Sequence, residues 1–274
     1  MCDLDNASFF LQSNAESDRL SVSLGLPCYR EIAEYGARAA LEKFAGEYLT
    51  PEAETGYDVT VTVTKAQWTG KEDKVIEMLS TLKRVALGGV FDYYFSAVNT
   101  GTSASLKPFK FNLRPDTRVF LVPTADRVFV TFQLSFVDKS DLVIGKVFLT
   151  EFADPAVRRT AQRAPLVTFT QAAPPELKVF PGTEASASDI GFVTFSVLQG
   201  SCAESTRQKL TDGMQTFRNF VQYHLKCSKA FFHSRMRQRV SDFTKVLNRA
   251  RINQEKSGPG KMSISVTGRL VMKR

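Results

Sequence analysis

The sequence is poor in the residues from which metal centres and disulfide frameworks are built. It has two histidines and four cysteines among 274 residues. His224 and His233 stand in one predicted helix, at a spacing that does not suit a zinc site. No C-x-x-C pair occurs, and the cysteines are scattered over Cys2, Cys28, Cys202 and Cys227. We therefore expect no metal, no disulfide framework and a reducing, cytoplasmic setting.

The motifs of nucleotide-binding proteins and hydrolases are also missing. The chain contains no G-x-x-x-x-G-K-[ST], no G-x-G-x-x-G and no G-x-S-x-G. Acidic pairs such as Glu52 and Glu54 stand in polar stretches, where carboxylates are solvated. We therefore expect a protein that is not an enzyme and that needs no cofactor.

Long apolar runs are absent as well. None approaches the length of a membrane span, and the first residues lack the basic-then-apolar pattern of a signal peptide. The chain is 43% hydrophobic and 23% charged, as soluble globular proteins are. We expect no membrane partner.

The first 200 residues predict two layers of strand and helix. The plainest strand pattern is the alternation Val-Thr-Val-Thr-Val at 59–63, and helical periodicity marks residues 29–48 and 71–98. Further strands are predicted at 8–11, 20–26, 109–111, 119–122, 128–137, 142–152, 166–170 and 191–198. The predicted fold class is α+β: two similar α/β-sandwich domains with mostly antiparallel sheets, followed by a very long C-terminal α-helix. The predicted boundaries are 1–112 and 117–203 for the domains, 204–256 for the helix and 257–274 for a flexible tail.

Residues 205–256 predict that single long helix. Its apolar residues recur at steps of three and four, with a mean near the helical period, and no proline interrupts them. At 1.5 Å per residue the helix would be about 75 Å long, well beyond the roughly 30 Å width of a small domain. We therefore expect its apolar stripe to pack on a partner chain. The stripe residues assigned to that interface are Phe217, Val221, Leu225, Phe232, Met236, Val240, Phe243 and Leu247.

The same stretch is strongly basic. It holds twelve lysines and arginines against three acidic residues, whereas residues 1–204 carry a net negative charge. Most of these cations have no carboxylate four residues away, the spacing that pairs charges along an exposed helix. An external acidic surface is one interpretation of this pattern, and a solvated basic face is the other.

Three kinds of partner suit such a helix. A nucleic-acid-binding protein would place the cations on phosphates and stack bases on Phe231, Phe232 and Phe243. However, these rings lie on or beside the apolar stripe, which favours their burial. A membrane-surface helix would have a more continuous apolar face with more tryptophan. We therefore prefer a protein partner, with a basic-helix nucleic-acid-binding protein as the alternative.

The residues of the helix resemble a known family. The runs HLKCSKAFFHSRMR at 224–237 and SDFTKVLNRAR at 241–251 are similar to the C-terminal helix of subunit two of the actin-related protein 2/3 complex. Residues 143–152, 174–178 and 190–195 resemble the same family. The resemblance covers essentially the whole chain and is densest in its last third.

The resemblance implies a core scaffold subunit that does not bind ATP itself. Its long helix would pack antiparallel on the matching helix of subunit 4, among the other subunits of the complex, including both actin-related proteins. The subunit would contact the mother actin filament and support nucleation of branched filaments in the cytoplasm, at the cell cortex and in projections.

Actin filaments are acidic, so the cations of the helix would supply the filament contact. We assign that contact to eight residues. They are Lys226, Lys229, Arg235, Arg237, Arg239, Lys245, Arg249 and Arg251.

Overall fold

A computed structural model shows two antiparallel sheets and one long helix. It describes residues 6–14, 18–158, 164–182, 189–249, 262–264 and 270–272. Contacts group the chain into two units, Met1–Cys227 and Ser228–Arg274. The predicted α+β fold class is confirmed.

The strands are short and antiparallel throughout. The three-stranded sheet has the order β1-β2-β3, and the five-stranded sheet has the order β4-β5-β6-β8-β7, with β9 paired to β10 in the second unit. Their bounds are β1 Ser8–Asn14, β2 Arg19–Gly25, β3 Val59–Thr64, β4 Phe109–Arg114, β5 Thr117–Pro123, β6 Arg127–Ser135, β7 Leu166–Thr170, β8 Ile190–Leu198, β9 Met262–Ile264 and β10 Leu270–Met272.

The described helices range from one turn to 46 residues. Their bounds are α1 Tyr29–Ile32, α2 Ala37–Ala45, α3 Lys65–Trp68, α4 Glu72–Thr100, α5 Lys139–Ala153, α6 Pro155–Arg158 and α7 Glu204–Arg249. Single 3₁₀ turns lie at Ala33–Tyr35, Gly46–Tyr48, Ser103–Ser105, Pro175–Val179 and Gln199–Ser201.

Helix α4 holds the first unit together. It contacts β2 of the smaller sheet and both β5 and β6 of the larger one, so a single continuous core includes residues of both sheets. Glu72 and Asp73 occupy its first turn, where their negative charges interact favourably with the positive end of the helix dipole. Gly101 ends the helix in the left-handed conformation, at φ 74°.

A close approach of two backbones explains the glycines of α4. A Cβ at Gly89 would lie 2.7 Å from the carbonyl oxygen of Gly36 and 2.8 Å from the Cβ of Ala40. Gly36 itself has a φ of 101°, which disfavours any residue with a side chain. Helices α2 and α4 therefore pack with no room for a methyl group between them.

Two predicted elements differ from the structure. The strand predicted at 142–152 is wrong, because this segment forms α5. The side chain of Asp138 caps that helix by accepting a hydrogen bond from the Ser140 N–H at 2.9 Å. The single helix predicted at 29–48 is broken into α1 and α2, because a 3₁₀ turn and the left-handed Gly36 interrupt the helical backbone between them.

The remaining expectations about organisation are untouched by these corrections. The predicted domain boundaries at 112, 117 and 203 stay predictions. Most of the tail at 257–274 lies outside the described residues, and its described part is the β9–β10 pair.

Candidate functional site

The surroundings of α7 change along its length. Its first part, Glu204–Cys227, belongs to the first unit and buries Met214, Phe217, Val221 and Leu225. Its second part, Ser228–Arg249, belongs to the second unit, and every residue from 230 to 249 is exposed. The helix therefore has a first part that builds the fold and a second part that is exposed from residue 230 to residue 249.

Aromatic packing fixes the first part of α7 on the larger sheet. The Phe217 ring centroid lies 4.9 Å from that of Phe132 on β6 and 5.0 Å from that of Phe195 on β8. Phe152 of α5 closes the cluster at 5.7 Å. Aromatic pairs at such distances add about 0.5–1.5 kcal/mol each beyond the area that they bury.

Ion pairs between distant segments fix the same part to α4. The Arg207 Nε donates to Asp92 Oδ1 at 2.7 Å, and the Arg84 Nε donates to Asp212 Oδ1 at 2.7 Å. Each of the two helices supplies one cation and one carboxylate to these two ion pairs. The carboxylate that pairs with Arg207 therefore belongs to this chain and not to a binding partner.

A buried arginine joins α7 to the β4–β5 turn. Arg218 is 6% exposed, its Nε donates to Thr117 Oγ1 at 2.9 Å, and its guanidinium pairs with the Asp116 carboxylate. Nearby, buried Arg114 donates to Gln222 Oε1 at 2.9 Å and to the Asn219 side chain. Removing one partner of a buried pair costs about 3–5 kcal/mol, so this cluster sets the orientation of α7 on the sheet.

The predicted partner-helix stripe is split by this arrangement. Phe217, Val221 and Leu225 lie in the chain's own core and have no surface to offer a partner. The predicted interface is therefore narrowed to five residues, which are 50–66% exposed. We call these five the free stripe: Phe232, Met236, Val240, Phe243 and Leu247.

The free stripe follows the helical period. At 100° per residue its members fall within about 80° of one another, on a single face of α7. Single exposed apolar residues are ordinary on a protein surface, but a continuous row of five large ones marks an interaction site. The partner-helix interface stays a prediction, now limited to the free stripe.

The cations predicted to contact the filament differ in their exposure and in the contacts that they make. Seven of the eight lie in the described part, six of them exposed and Lys229 half-buried, whereas Arg251 lies outside it. The Arg235 guanidinium stands 5.9 Å from the Phe231 ring centroid, and the Lys245 Nζ lies 3.4 Å from Asp242 Oδ1. Exposed pairs of this kind contribute only about 0.2–1 kcal/mol, so they leave these cations available.

Helical geometry separates the cations from the free stripe. On a helical wheel, Arg237, Lys245 and Arg249 lie on the side away from the stripe, whereas Arg239 falls at its edge. We call Arg237, Lys245 and Arg249 the outer cations. The second part of α7 thus presents an apolar face and a basic face at the same time.

The first unit has an aromatic surface that the sequence did not lead us to predict. The His224 ring stacks on Phe148 with centroids 5.2 Å apart, and Phe220 lies 4.3 Å from His224. Beside them, Val143 and Val147 of α5 are exposed. The four-residue spacing of those valines was the available signal, and it was overlooked because the segment was predicted as a strand.

Two negative findings apply to the described residues. None of their helices is both long enough and apolar enough to cross a membrane. Among them, no three histidine, cysteine or acidic side chains gather in a way that could hold a metal ion.

Comparison with known proteins decides the family. The sequence profile described as "Arp2/3 complex, 34 kD subunit p34-Arc" matches residues 22–254. The chain belongs to the p34-Arc family. Two proteins named "Actin-related protein 2/3 complex subunit 2" are similar to it. That of Dictyostelium discoideum is 33% identical over 254 residues, covering 91% of this chain and 83% of the relative. That of Schizosaccharomyces pombe is 33% identical over 275 residues, covering 92% and 86%.

Family membership confirms the resemblance found in the helix. The match to the p34-Arc profile includes both parts of α7, the whole five-stranded sheet, β3 and most of β2, so it is not confined to one motif.

Proposed function

We propose that this chain is a non-catalytic scaffold subunit of an Arp2/3 complex, acting in the actin cytoskeleton of the cytoplasm. The names of its relatives support assembly into that complex. The single observation that carries the finer proposal is the second part of α7, which is exposed from 230 to 249 and has an apolar face and a basic face.

The free stripe binds a partner helix in this proposal, and that helix belongs to subunit 4, running antiparallel. Burying a large apolar side chain contributes about 1.5–3 kcal/mol. Five such side chains would contribute about 8–15 kcal/mol before the entropic cost of association is subtracted. Because that cost is of similar size, the free stripe would be one part of a larger permanent interface.

The outer cations meet the mother filament in the same proposal. They point away from the stripe, so they stay accessible when the partner helix is bound. A basic face attracts an acidic filament at long range and forms charge-assisted hydrogen bonds on contact.

Co-purification of the complex tests the helix pairing. Phe243→Asp places a charge in the apolar interface, which costs several kcal/mol, and we expect this variant to lose its partner subunits. Ser241→Asp introduces the same charge on the opposite side of α7 and should assemble at normal yield. If Phe243→Asp recovers every partner at the yield of Ser241→Asp, the free stripe is not the interface.

Filament binding is tested with the assembled complex. The triple change Arg237→Glu, Lys245→Glu and Arg249→Glu should leave assembly intact and sharply reduce both co-sedimentation with actin filaments and the count of branches. A matched control makes the same change at three exposed lysines elsewhere, Lys71, Lys139 and Lys209. Equal branching by the two triple variants would mean that the outer cations serve another partner, and binding of RNA at matched salt would then favour the nucleic-acid alternative.

A further inference from the structure

The first unit contains a groove that the proposed function does not use. Its floor is α4 from Lys74 to Asp92, a length of about 27 Å, and α2 and α7 line it as well. The groove has a volume of about 640 Å³. Residues that shape it are Phe44, Met78, Thr81, Val85, Gly88 and Thr211.

Two buried donors without acceptors lie beside Gly88, one of the residues that line this groove. Thr211 is 2% exposed, and its hydroxyl has no hydrogen-bond partner among the described residues. The same is true of the buried Gln215 Nε2. Both flank Gly88, since a Cβ there would lie 2.6 Å from Gln215 Nε2 and 3.1 Å from Thr211 Cγ2. A buried donor without an acceptor is unfavourable, so an acceptor oxygen that reaches this point when the two side chains turn toward it would be favoured.

The charged residues that line the groove carry an excess of positive charge. Lys43 and Lys74 line it, and neither has a carboxylate within ion-pair distance in the described part of the chain. Glu77 is the single unpaired acid beside them. The other two charged lining residues, Arg84 and Asp92, are neutralised by the ion pairs with α7.

The shape of the groove selects a helix as its occupant. All three elements around it are helices, and the backbone groups inside a helix are already hydrogen-bonded to one another. An extended peptide would find no backbone edge to pair with, whereas a helix satisfies its own backbone and needs only a place for one row of side chains. The apolar side chains of Phe44, Met78 and Val85 offer that place.

We propose that this groove binds an acidic amphipathic helix of a partner protein. Its apolar side chains pack on Phe44, Met78 and Val85, and a carboxylate accepts hydrogen bonds from Thr211 and Gln215. Lys43 and Lys74 pair with further carboxylates along the helix. The groove shares no residue with the free stripe or the outer cations, so this contact does not depend on the pairing or the filament contact proposed above.

Photo-cross-linking within the purified complex and in cell extract tests the proposal. Phe44 is replaced by p-benzoylphenylalanine, which keeps an aromatic ring at the groove. Phe10 on β1 receives the same analogue as a control, because Phe44 and Phe10 are 41% and 40% exposed. We expect Phe44 to cross-link to a segment with apolar residues three and four positions apart and an excess of aspartate and glutamate, at a yield at least five times that at Phe10.

Variants show whether the charges and the donor direct this binding. Lys43→Glu with Lys74→Glu should lower the cross-link at Phe44 at least fivefold, whereas Lys43→Arg with Lys74→Arg should keep it. Thr211→Val replaces the hydroxyl with a methyl group of similar size, so the fold should be retained while the cross-link falls. Retention of all variants in the complex confirms that they fold.

Four results would overturn the proposal. They are a yield at Phe44 no higher than at Phe10, a cross-link to a basic or non-helical segment, a cross-link to lipid, nucleic acid or a second copy of this chain, and a yield unaffected by Lys43→Glu with Lys74→Glu.

Discussion

Burial separates the three described thiols into two chemical kinds. Cys28 and Cys202 are buried, whereas Cys227 is exposed on α7. Desolvation raises the pKa of Cys202 from 9.0 to about 11, and a thiol that keeps its proton is a poor nucleophile. Reactivity should therefore depend on position rather than on cysteine content.

Alkylation and pH-dependent unfolding check this difference. At pH 8, iodoacetamide should modify Cys227 at least tenfold faster than Cys202, as measured by mass spectrometry of each peptide. Since the pKa of Cys202 is higher in the folded chain than in the unfolded chain, this thiol should leave the free energy of unfolding unchanged below pH 9 and lower it between pH 9 and 11. Burial also raises the pKa values of Tyr29 and Tyr94, so both tyrosines add to that fall.

The variant Cys202→Ala isolates the contribution of the thiol. Its unfolding free energy should decline less steeply between pH 9 and 11 than that of the unchanged chain. Parallel declines would show that Cys202 ionises equally in both states.

Individual charged residues show where reasoning from sequence reached its limit. The lack of a carboxylate four residues from Arg207 and Arg218 suggested an external acidic partner. Their carboxylates instead come from Asp92 and Asp116, more than 100 residues away in the chain. Spacing along one helix cannot reveal such pairs, because they depend on which elements the fold brings together.

At the scale of elements, long periodic patterns were predictable and short apolar ones were not. The periodicity of α4 and α7 extends over many turns, and both helices form where it predicts them, although residues 250–256 of the predicted α7 lie outside the described residues. The segment 142–152 contains valine, isoleucine and phenylalanine, which suit a strand equally well. Its helical state depends on the Asp138 cap and on packing of Gly145 against Phe136, and both contacts involve residues that precede the segment itself.

Two helical glycines should respond oppositely to alanine. A Cβ at Gly145 of α5 would lie 2.7 Å from the Phe136 ring, so Gly145→Ala should destabilise the chain by about 1–3 kcal/mol. Gly213 of α7 is exposed with nothing within 4 Å, so Gly213→Ala should stabilise it by about 0.5–1 kcal/mol. Denaturant titrations of the two variants measure both changes. A loss of stability in Gly213→Ala would show that α7 needs the glycine for a reason other than space.

For the whole molecule, charge distribution predicts how the proposed filament contact depends on salt. From 228 to 249 the chain has six lysines and arginines and one acidic residue, Asp242. Because exposed charges are screened over about 8 Å at physiological ionic strength, such a contact weakens as salt rises.

Co-sedimentation of the complex with actin filaments over a series of salt concentrations measures that dependence. Retention should fall steeply between about 50 and 200 mM salt, and the variant that reverses the outer cations should show a flatter curve. The control triple variant should keep the steep one. A curve that is flat for the unchanged complex would assign filament binding to apolar contacts instead.

The division of α7 into a buried and an exposed part also governs how the chain can evolve. Substitutions at Phe217, Val221 and Leu225 are selected by whether the chain still folds. Their effect on stability therefore does not depend on which partner is present. Changes in the free stripe leave folding untouched and are filtered only by what binds there. A lineage can therefore drift at Phe232 or Leu247 when its binding partner drifts with it, while Phe217 remains constrained by a sheet encoded in the same gene.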